Sequence, residues 1–310
     1  MVRGEDLYRP LNALYGPAHP PIVRNGLCYP VAIMPSTQRG VAGMVRYSAE
    51  EAPIDADLLR WGERHRAELA RSHPMHDGVV VVSKEILGET LYAARSGYYA
   101  MLSTCDALRA EYLSERGRRP LRDRAHLTAG PEGPVRSGRG RAAAIGISVV
   151  VTARERGGRG FLLARRRPDL PMDGNAWQLA PSGMVEPTGE GDVVVENVRR
   201  ELAEELHIHV HGPGLAQRLR PLGVAVDLLR LRPEVCVRLD LAEGEIDTAR
   251  LPLGRGEFTL GRFVELSGDG LCGVWSAYPP QDLTPAAAGA IALLEHSENL
   301  GSEAGSHDLR

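Results

Sequence analysis

Arg200-Glu201-Leu202-Ala203-Glu204-Glu205-Leu206-His207-Ile208 is the stretch on which the reading of this chain turns. Three carboxylates, Glu201, Glu204 and Glu205, stand at i, i+3 and i+4, and on a helix that spacing places all three on one face. Like charges so close repel, so an isolated helix gains nothing from them. A hard divalent cation reverses the sign, because Mg²⁺ takes oxygen ligands and bridges carboxylates to substrate phosphates. Taken alone, such a triplet is more often a solvated helix face than a metal site, and the sequence before it shifts the balance.

Upstream lies Pro181-Ser182-Gly183-Met184-Val185-Glu186-Pro187-Thr188-Gly189-Glu190, a glycine-rich loop preceded by Trp177-Gln178-Leu179-Ala180 as a short strand. Glycine permits a close backbone approach to a ligand. Loop and acidic helix together resemble the Nudix box, Gly-x5-Glu-x7-Arg-Glu-U-x-Glu-Glu-x-Gly-U, where U is a bulky aliphatic residue. Gly183 takes the place of its first glycine, and Arg200, Glu201, Leu202, Glu204, Glu205 and Ile208 match its second half. The resemblance implies an α+β fold, a Nudix-type mixed β-sheet/α sandwich, here with an N-terminal α/β domain. It also implies that the carbonyl of Gly183 and the carboxylates of Glu201, Glu204 and Glu205 bind Mg²⁺ or Mn²⁺, and that water attacks a phosphorus of a nucleoside diphosphate derivative.

The match departs from the pattern in two places. Gly183 and Arg200 are seventeen positions apart where the family has fourteen, so either Glu190 or Asp192 fills the internal acidic position. His207 replaces the second glycine, near a helix C-terminus where a left-handed residue is often wanted; it is read as structural. Glu201 and Glu205 are expected to form the core ligand pair, with Glu204 holding a second ion or deprotonating water. Arg200 is expected to pair with Glu190, Asp192 or Glu196 and so to fix the loop. Arg165, Arg166 and Arg167 end a strand, and Arg165 and Arg166 are candidates for gripping a phosphate. Glu234 and Glu257 read as plain surface residues, with Glu257 a candidate catalytic glutamate from outside the box.

The chain has 310 residues, long for one domain of this kind. Its net charge of −3 does not point to general nucleic-acid binding. Cys28, Cys105, Cys236 and Cys272 are widely spaced, which fits free thiols in a reducing cytoplasm better than disulfides or a zinc site. The N-terminus has no apolar core after its basic residue, so no signal peptide is expected, and no apolar run approaches a membrane span. The expected partner is a small-molecule diphosphate, with neither nucleic acid nor membrane; a homodimer is among the oligomeric states left open. Residues 127–141, rich in glycine, proline and arginine, read as a linker. It would separate an N-terminal α/β domain, 1–126, from a Nudix domain, 142–297, before a disordered tail, 298–310.

Within the second half, strands are expected at 144–152, 161–166, 221–229, 234–241 and 260–266. A final helix starts at Pro285 behind Thr284 as N-cap. In the first half, 56–70 reads as an amphipathic helix, and 78–82 and 90–94 as paired strands. A helix, strands and then Tyr98-Tyr99-Ala100-Met101-Leu102-Ser103-Thr104 ahead of the box resemble the two-part Nudix proteins that cleave UDP-glucose and UDP-galactose. That resemblance implies a nucleotide sugar as substrate, cleaved to UMP and a sugar 1-phosphate. Uracil and a hexose need hydrogen-bonding groups on a shaped wall, for which Tyr98, Ser103, Thr104 and Trp177 are the candidates. ADP-ribose, a dinucleotide or a prenyl diphosphate are alternative substrates. A non-catalytic, nucleotide-binding regulatory module is the alternative function.

Overall fold

The computed structural model describes residues 7–16, 19–20, 22–73, 75–114, 119–155, 158–189, 191–210, 214–246, 251, 253 and 256–298. Glu190 and residues 299–310, most of the tail expected from composition, lie outside them. The N-terminal part begins with helix α1 (Arg9–Tyr15) and strands β1 (Ile22–Arg24), β2 (Leu27–Tyr29), β3 (Val31–Pro35) and β4 (Val45–Glu51). Helix α2 (Ala56–Ser72) starts behind Asp55, whose carboxylate accepts from the amides of Asp57 and Leu58. The hairpin β5 (Val79–Leu87) and β6 (Thr90–Gly97) follows, paired antiparallel as expected. A helical run comes next: α3 (Tyr98–Met101), a π-helical turn (Leu102–Asp106) and α4 (Ala107–Ser114), then α5 (Pro120–Ala129) and α6 (Gly133–Arg136).

The second part contains β7 (Gly146–Glu155), β8 (Gly158–Arg166), β9 (Trp177–Leu179), β10 (Ser182–Met184), α7 (Val193–Leu206) and α8 (Gly214–Arg218). It closes with β11 (Leu219–Asp227), β12 (Arg232–Asp240), β13 (Phe258–Glu265), α9 (Gly268–Ala277) and α10 (Pro285–Ser297). The main sheet runs β13-β8-β7-β12-β11-β3, with β10 paired to β7 and β9 to β8. Pairing of β7 with β12 is parallel and the rest antiparallel, which makes the sheet mixed.

Helices cover both faces of this sheet, which is why its central strands are apolar throughout rather than alternating. Ile147, Val149 and Val151 of β7 pack in one core with Val194, Val198 and Leu202 of α7. Val150, on the other face, packs with Ile291 and Leu294 of α10. Each fully buried aliphatic side chain contributes roughly 1.5–3 kcal/mol relative to exposure. Thr284 caps α10, its hydroxyl accepting from the amide of Ala287 at 3.2 Å. The layered α+β sandwich implied by the box is thus the fold observed.

Two features differ from what composition suggests. The main sheet takes its last strand, β3, from the N-terminal part, where it pairs with β11 and covers that edge. Residues 127–141, expected to be a linker, are packed against the protein. Ala129, Val135, Ser137 and Arg141 are buried, and Ser137 bridges to Glu85 and Gly140 to Ile54. A Cβ at Gly138 would lie 1.9 Å from the carbonyl oxygen of Ser83. Here glycine serves close backbone crossing rather than flexibility, and composition cannot tell the two uses apart. The small sheet β4-β6-β5 is joined to the second part by backbone hydrogen bonds from Val81 to Val185, Ile145 to Val81 and Ser83 to Ala143.

Candidate active site

The acidic helix α7 begins at Asp192, whose side chain accepts from the amides of Val194 and Val195. Asp192 is therefore the N-cap and not the partner of Arg200. At the other end His207 is left-handed, with φ of 54°, and the amide of Ile208 reaches back to the carbonyl of Leu202 at 3.0 Å. A non-glycine residue in that conformation costs on the order of 1 kcal/mol, and His207 has the structural role expected of it.

Between these caps the three carboxylates differ in surroundings. Glu201 and Glu205 are each only 6 % exposed, whereas Glu204 is exposed. Glu205 accepts a hydrogen bond from the amide of Ser182 at 3.0 Å. Glu201 lies so close to Gly183 that a Cβ there would be 2.2 Å from its Oε1. Burial raises the pKa of both carboxyls. The charges of Glu204 and Glu257 add to this at Glu201, opposed by Arg200. At Glu205, pushed well above the usual carboxylate range, Glu257 and Glu201 add to it.

Arg200 is placed between helix and loop. Its Nη1 meets Glu186 at 2.6 Å, and its Nη2 donates to Glu201 Oε1 at 2.7 Å and to the carbonyl of Met184 at 2.9 Å. Glu196, the expected partner one turn earlier, pairs instead with Arg199. Glu186 succeeds because the loop folds back over the helix, which spacing along the chain does not show.

These groups open onto a cavity of about 480 Å³ whose walls include Glu201, Glu204, Gly183, Tyr98, Arg166 and Gln178. Glu205 is not part of the wall; it accepts from the amide of Ser182, which is. Of the two candidate arginines only Arg166 faces in; its Nη1 lies 3.2 Å from Glu257 and 3.3 Å from Gln178 Oε1. Arg165, on the opposite face of β8, donates to the carbonyl of Asn175 at 3.3 Å. Trp177 also lies outside the cavity, its ring 5.0 Å from that of Tyr278.

Glu234 and Glu257, read from sequence as surface residues, both line the cavity. Glu234 reaches it because residue 146 is glycine; a Cβ there would lie 1.7 Å from Glu234 Oε2. Ser148 donates to Glu234 Oε1 at 2.5 Å. Burial lifts the Glu234 carboxyl to about 7 despite this hydrogen bond and the nearby charge of Arg232. Its ordinary value is 4.5, so between about pH 4.5 and 7 the folded protein holds a proton that the unfolded chain has released. Stability from this group is full below that window and falls as pH rises through it. Glu234→Gln is expected to raise the thermal midpoint at pH 8 by an amount equivalent to roughly 1–3 kcal/mol, and to leave it unchanged at pH 4. Melting curves of both proteins in EDTA at the two pH values check this.

The far side of the cavity includes Asp173, Asp227 and Arg230. Arg230 is buried and ion-paired to Asp106 at 2.8 Å, Asp227 at 2.9 Å and Asp173 at 3.0 Å. Asp106, from the π-helical turn, also meets His65 Nε2 at 2.8 Å. Burial alone would raise its carboxyl, but His65 and Arg230 outweigh that and hold it well below the usual range. This network ties the N-terminal helices to the cavity and leaves no trace in local sequence.

The donors on the helix face are all oxygen, the chemistry a hard dication takes. Two of the carboxylates are buried and mutually repelling, which positive charge would relieve. Among the described residues no three Asp, Glu, His or Cys side chains converge as a ready-made cage. The residues fit Mg²⁺ or Mn²⁺ by donor type and charge, with Glu201, Glu204 and Glu205 as the side chains that would hold it.

A mixed sheet between helices, with a carboxylate helix packed on a glycine loop, is the arrangement that the resemblance to the Nudix box implies. Residues 143–251 match the family model of the NUDIX domain. Similar solved structures include a MutT protein from Methanosarcina mazei, at 21 % identity over 50 % of this chain and 93 % of that one, with a TM-score of 0.34. The NUDIX domain of Shewanella oneidensis NrtR, solved with ADP ribose, matches at 17 % identity over 52 % and 90 %, with a TM-score of 0.36. An Ap4A hydrolase from C. elegans matches at 19 % identity over 51 % and 98 %, with a TM-score of 0.33. No curated protein matches the chain. Among the described residues no helix is long and apolar enough to cross a membrane, and the four cysteines are free.

Proposed function

We propose that this protein hydrolyses the diphosphate bond of a nucleoside diphosphate derivative in a divalent-metal-dependent reaction, with a nucleotide sugar as the favoured substrate. The products would be a nucleoside monophosphate and a sugar 1-phosphate. The observation that carries the reading is the pair of buried carboxylates, Glu201 and Glu205, against the backbone of Gly183 and Ser182 at the cavity. A buried pair of like charges is costly unless something compensates it. Bound Mg²⁺ or Mn²⁺ would polarise the phosphoryl oxygens and acidify water.

The chain's own residues supply the rest. Glu201 and Glu205 would hold the cation, and Arg200 orients Glu201 through its 2.7 Å contact. Glu204, exposed toward the cavity, would accept the proton of the attacking water. Glu257 and Glu234 stand nearby as further proton acceptors. Arg166 would meet a phosphoryl oxygen once exchanged from Glu257. Tyr98 and Gln178 offer hydroxyl and amide groups for the nucleoside or sugar. We also propose that residues 1–126 and 142–297 act on substrate together, since Tyr98 comes from the former and Glu201 from the latter.

Two departures from the box favour a second reading, a nucleotide-binding module without catalysis: seventeen positions separate Gly183 from Arg200, and His207 stands where the box has glycine. Turnover decides between the two. With Mg²⁺, and separately with Mn²⁺, a UDP-sugar is expected to show a kcat/KM exceeding that of ADP-ribose or a dinucleotide by on the order of 10²-fold or more, because a site built for particular hydrogen bonds rejects compounds lacking them. A flat profile removes the nucleotide-sugar preference; absence of any turnover favours the binding module.

A further inference from the structure

We propose that Arg232 is a further anion-binding residue of the cavity, gripping a phosphoryl group of the substrate at the wall formed by β12 and α3, with Tyr98 beside it. Four arginines line the cavity, and three are committed. Arg166 pairs with Glu257, Arg200 with Glu186 and Glu201, and Arg230 with three aspartates. Arg232 makes no ion pair among the described residues. Its Nε donates to the carbonyl of Ala144 at 3.1 Å, and its Nη1 lies 3.6 Å from Met101 Sδ. Both partners are neutral, so the side chain is held in place while its charge remains uncompensated.

The geometry of β12 keeps it so. The residue directly across from Arg232 is Asp227, and opposite charges at such a pair normally meet. Asp227 instead spends its carboxylate on Arg230 at 2.9 Å and on the amide of Leu229 at 2.8 Å. Glu234, two residues along and on the same face of the strand, is held by Ser148. Tyr98 lies near enough for its hydroxyl to feel the Arg232 charge. With Nε and Nη1 on neutral acceptors, Nη2 and the positive charge remain for a phosphoryl oxygen.

This inference rests on the reading of a diphosphate substrate, and the test separates the two. Inorganic pyrophosphate, which carries the anionic groups without a nucleoside, is titrated calorimetrically into the full chain in the presence of Mg²⁺. The parent is expected to bind it. Arg232→Ala should weaken binding by roughly 10- to 100-fold, the loss of a charge-assisted hydrogen-bonding pair. Arg232→Lys should recover part of it, because an ammonium keeps the charge but not the planar donor geometry. In turnover the Ala variant should raise KM more than it lowers kcat. If the Ala variant fails to fold, the Lys variant decides, with a threefold or greater loss expected. Affinity within twofold of the parent in a folded variant overturns the proposal, as does a parent that binds no pyrophosphate. If pyrophosphate binding falls in Arg232→Ala but no diphosphate compound is hydrolysed, the anion site stands and the hydrolase reading fails. If binding is unchanged while Glu201→Gln abolishes turnover, the hydrolase stands and this site fails.

Discussion

Glu205→Gln is expected to lower kcat by roughly 10³-fold or more, about 4 kcal/mol of transition-state stabilisation, while the protein becomes no less stable. Glutamine keeps the shape of the side chain and an oxygen to accept from Ser182, so the packing under the loop is retained. It removes a formal charge that burial, Glu257 and Glu201 all disfavour. Because the folded-state pKa of Glu205 is raised, the carboxylate costs stability once the pH exceeds its unfolded value. The variant should therefore melt higher than the parent at pH 8 in EDTA and equally near pH 4. Mg²⁺ should raise the melting temperature of the parent and do so less in the variant, since a ligand stabilises only in proportion to its binding. Glu201→Gln should match it in turnover. Undiminished kcat in both variants would rule out α7 as the metal-binding helix.

Gly183→Ala is expected to lower kcat/KM by about 100-fold with a stability loss of about 1 kcal/mol or less. The added methyl would lie 2.2 Å from Glu201 Oε1 and 2.4 Å from its Cδ. Those atoms are the far end of a side chain, so the clash is relieved by swinging the carboxylate away and not by moving the backbone. The fold tolerates that movement. The chemistry does not, because displacement of a reacting group by about 1 Å costs on the order of 10² in rate. Kinetics and thermal melts of the same preparation separate the two effects. An alanine variant of full activity would show that Glu201 does not need its place beside the loop.

The box helix, its acidic face and most of the main strands were legible from local pattern. A 3.6-residue repeat suffices to gather Glu201, Glu204 and Glu205 on one side, and short-range chemistry at Thr284-Pro285 suffices to start α10. The strands of the hairpin β7–β8 and the pair β11–β12 were recoverable because buried apolar runs between turn residues have few alternatives. His207 at the helix end followed from backbone geometry in the same way.

The rest depends on pairings between distant residues. Consecutive arginines 165 and 166 must face opposite ways on a strand, but which one meets the cavity depends on which face of the sheet α7 covers. Arg200 finds Glu186 and not Glu196 because the loop folds back on the helix. Glu234 becomes a half-buried acid at the cavity because Gly146, far off in sequence and adjacent in register, leaves it room. The packing of residues 127–141 and the donation of β3 to the main sheet likewise come from backbone contacts made across the chain. The residues thus carry the helix, its charges and its likeness to the Nudix box in local spacing alone. Which carboxylates are buried, which cavity arginine makes no ion pair among the described residues and which N-terminal side chains wall the cavity follow from long-range packing, because burial and ion pairing depend on neighbours that no local window contains.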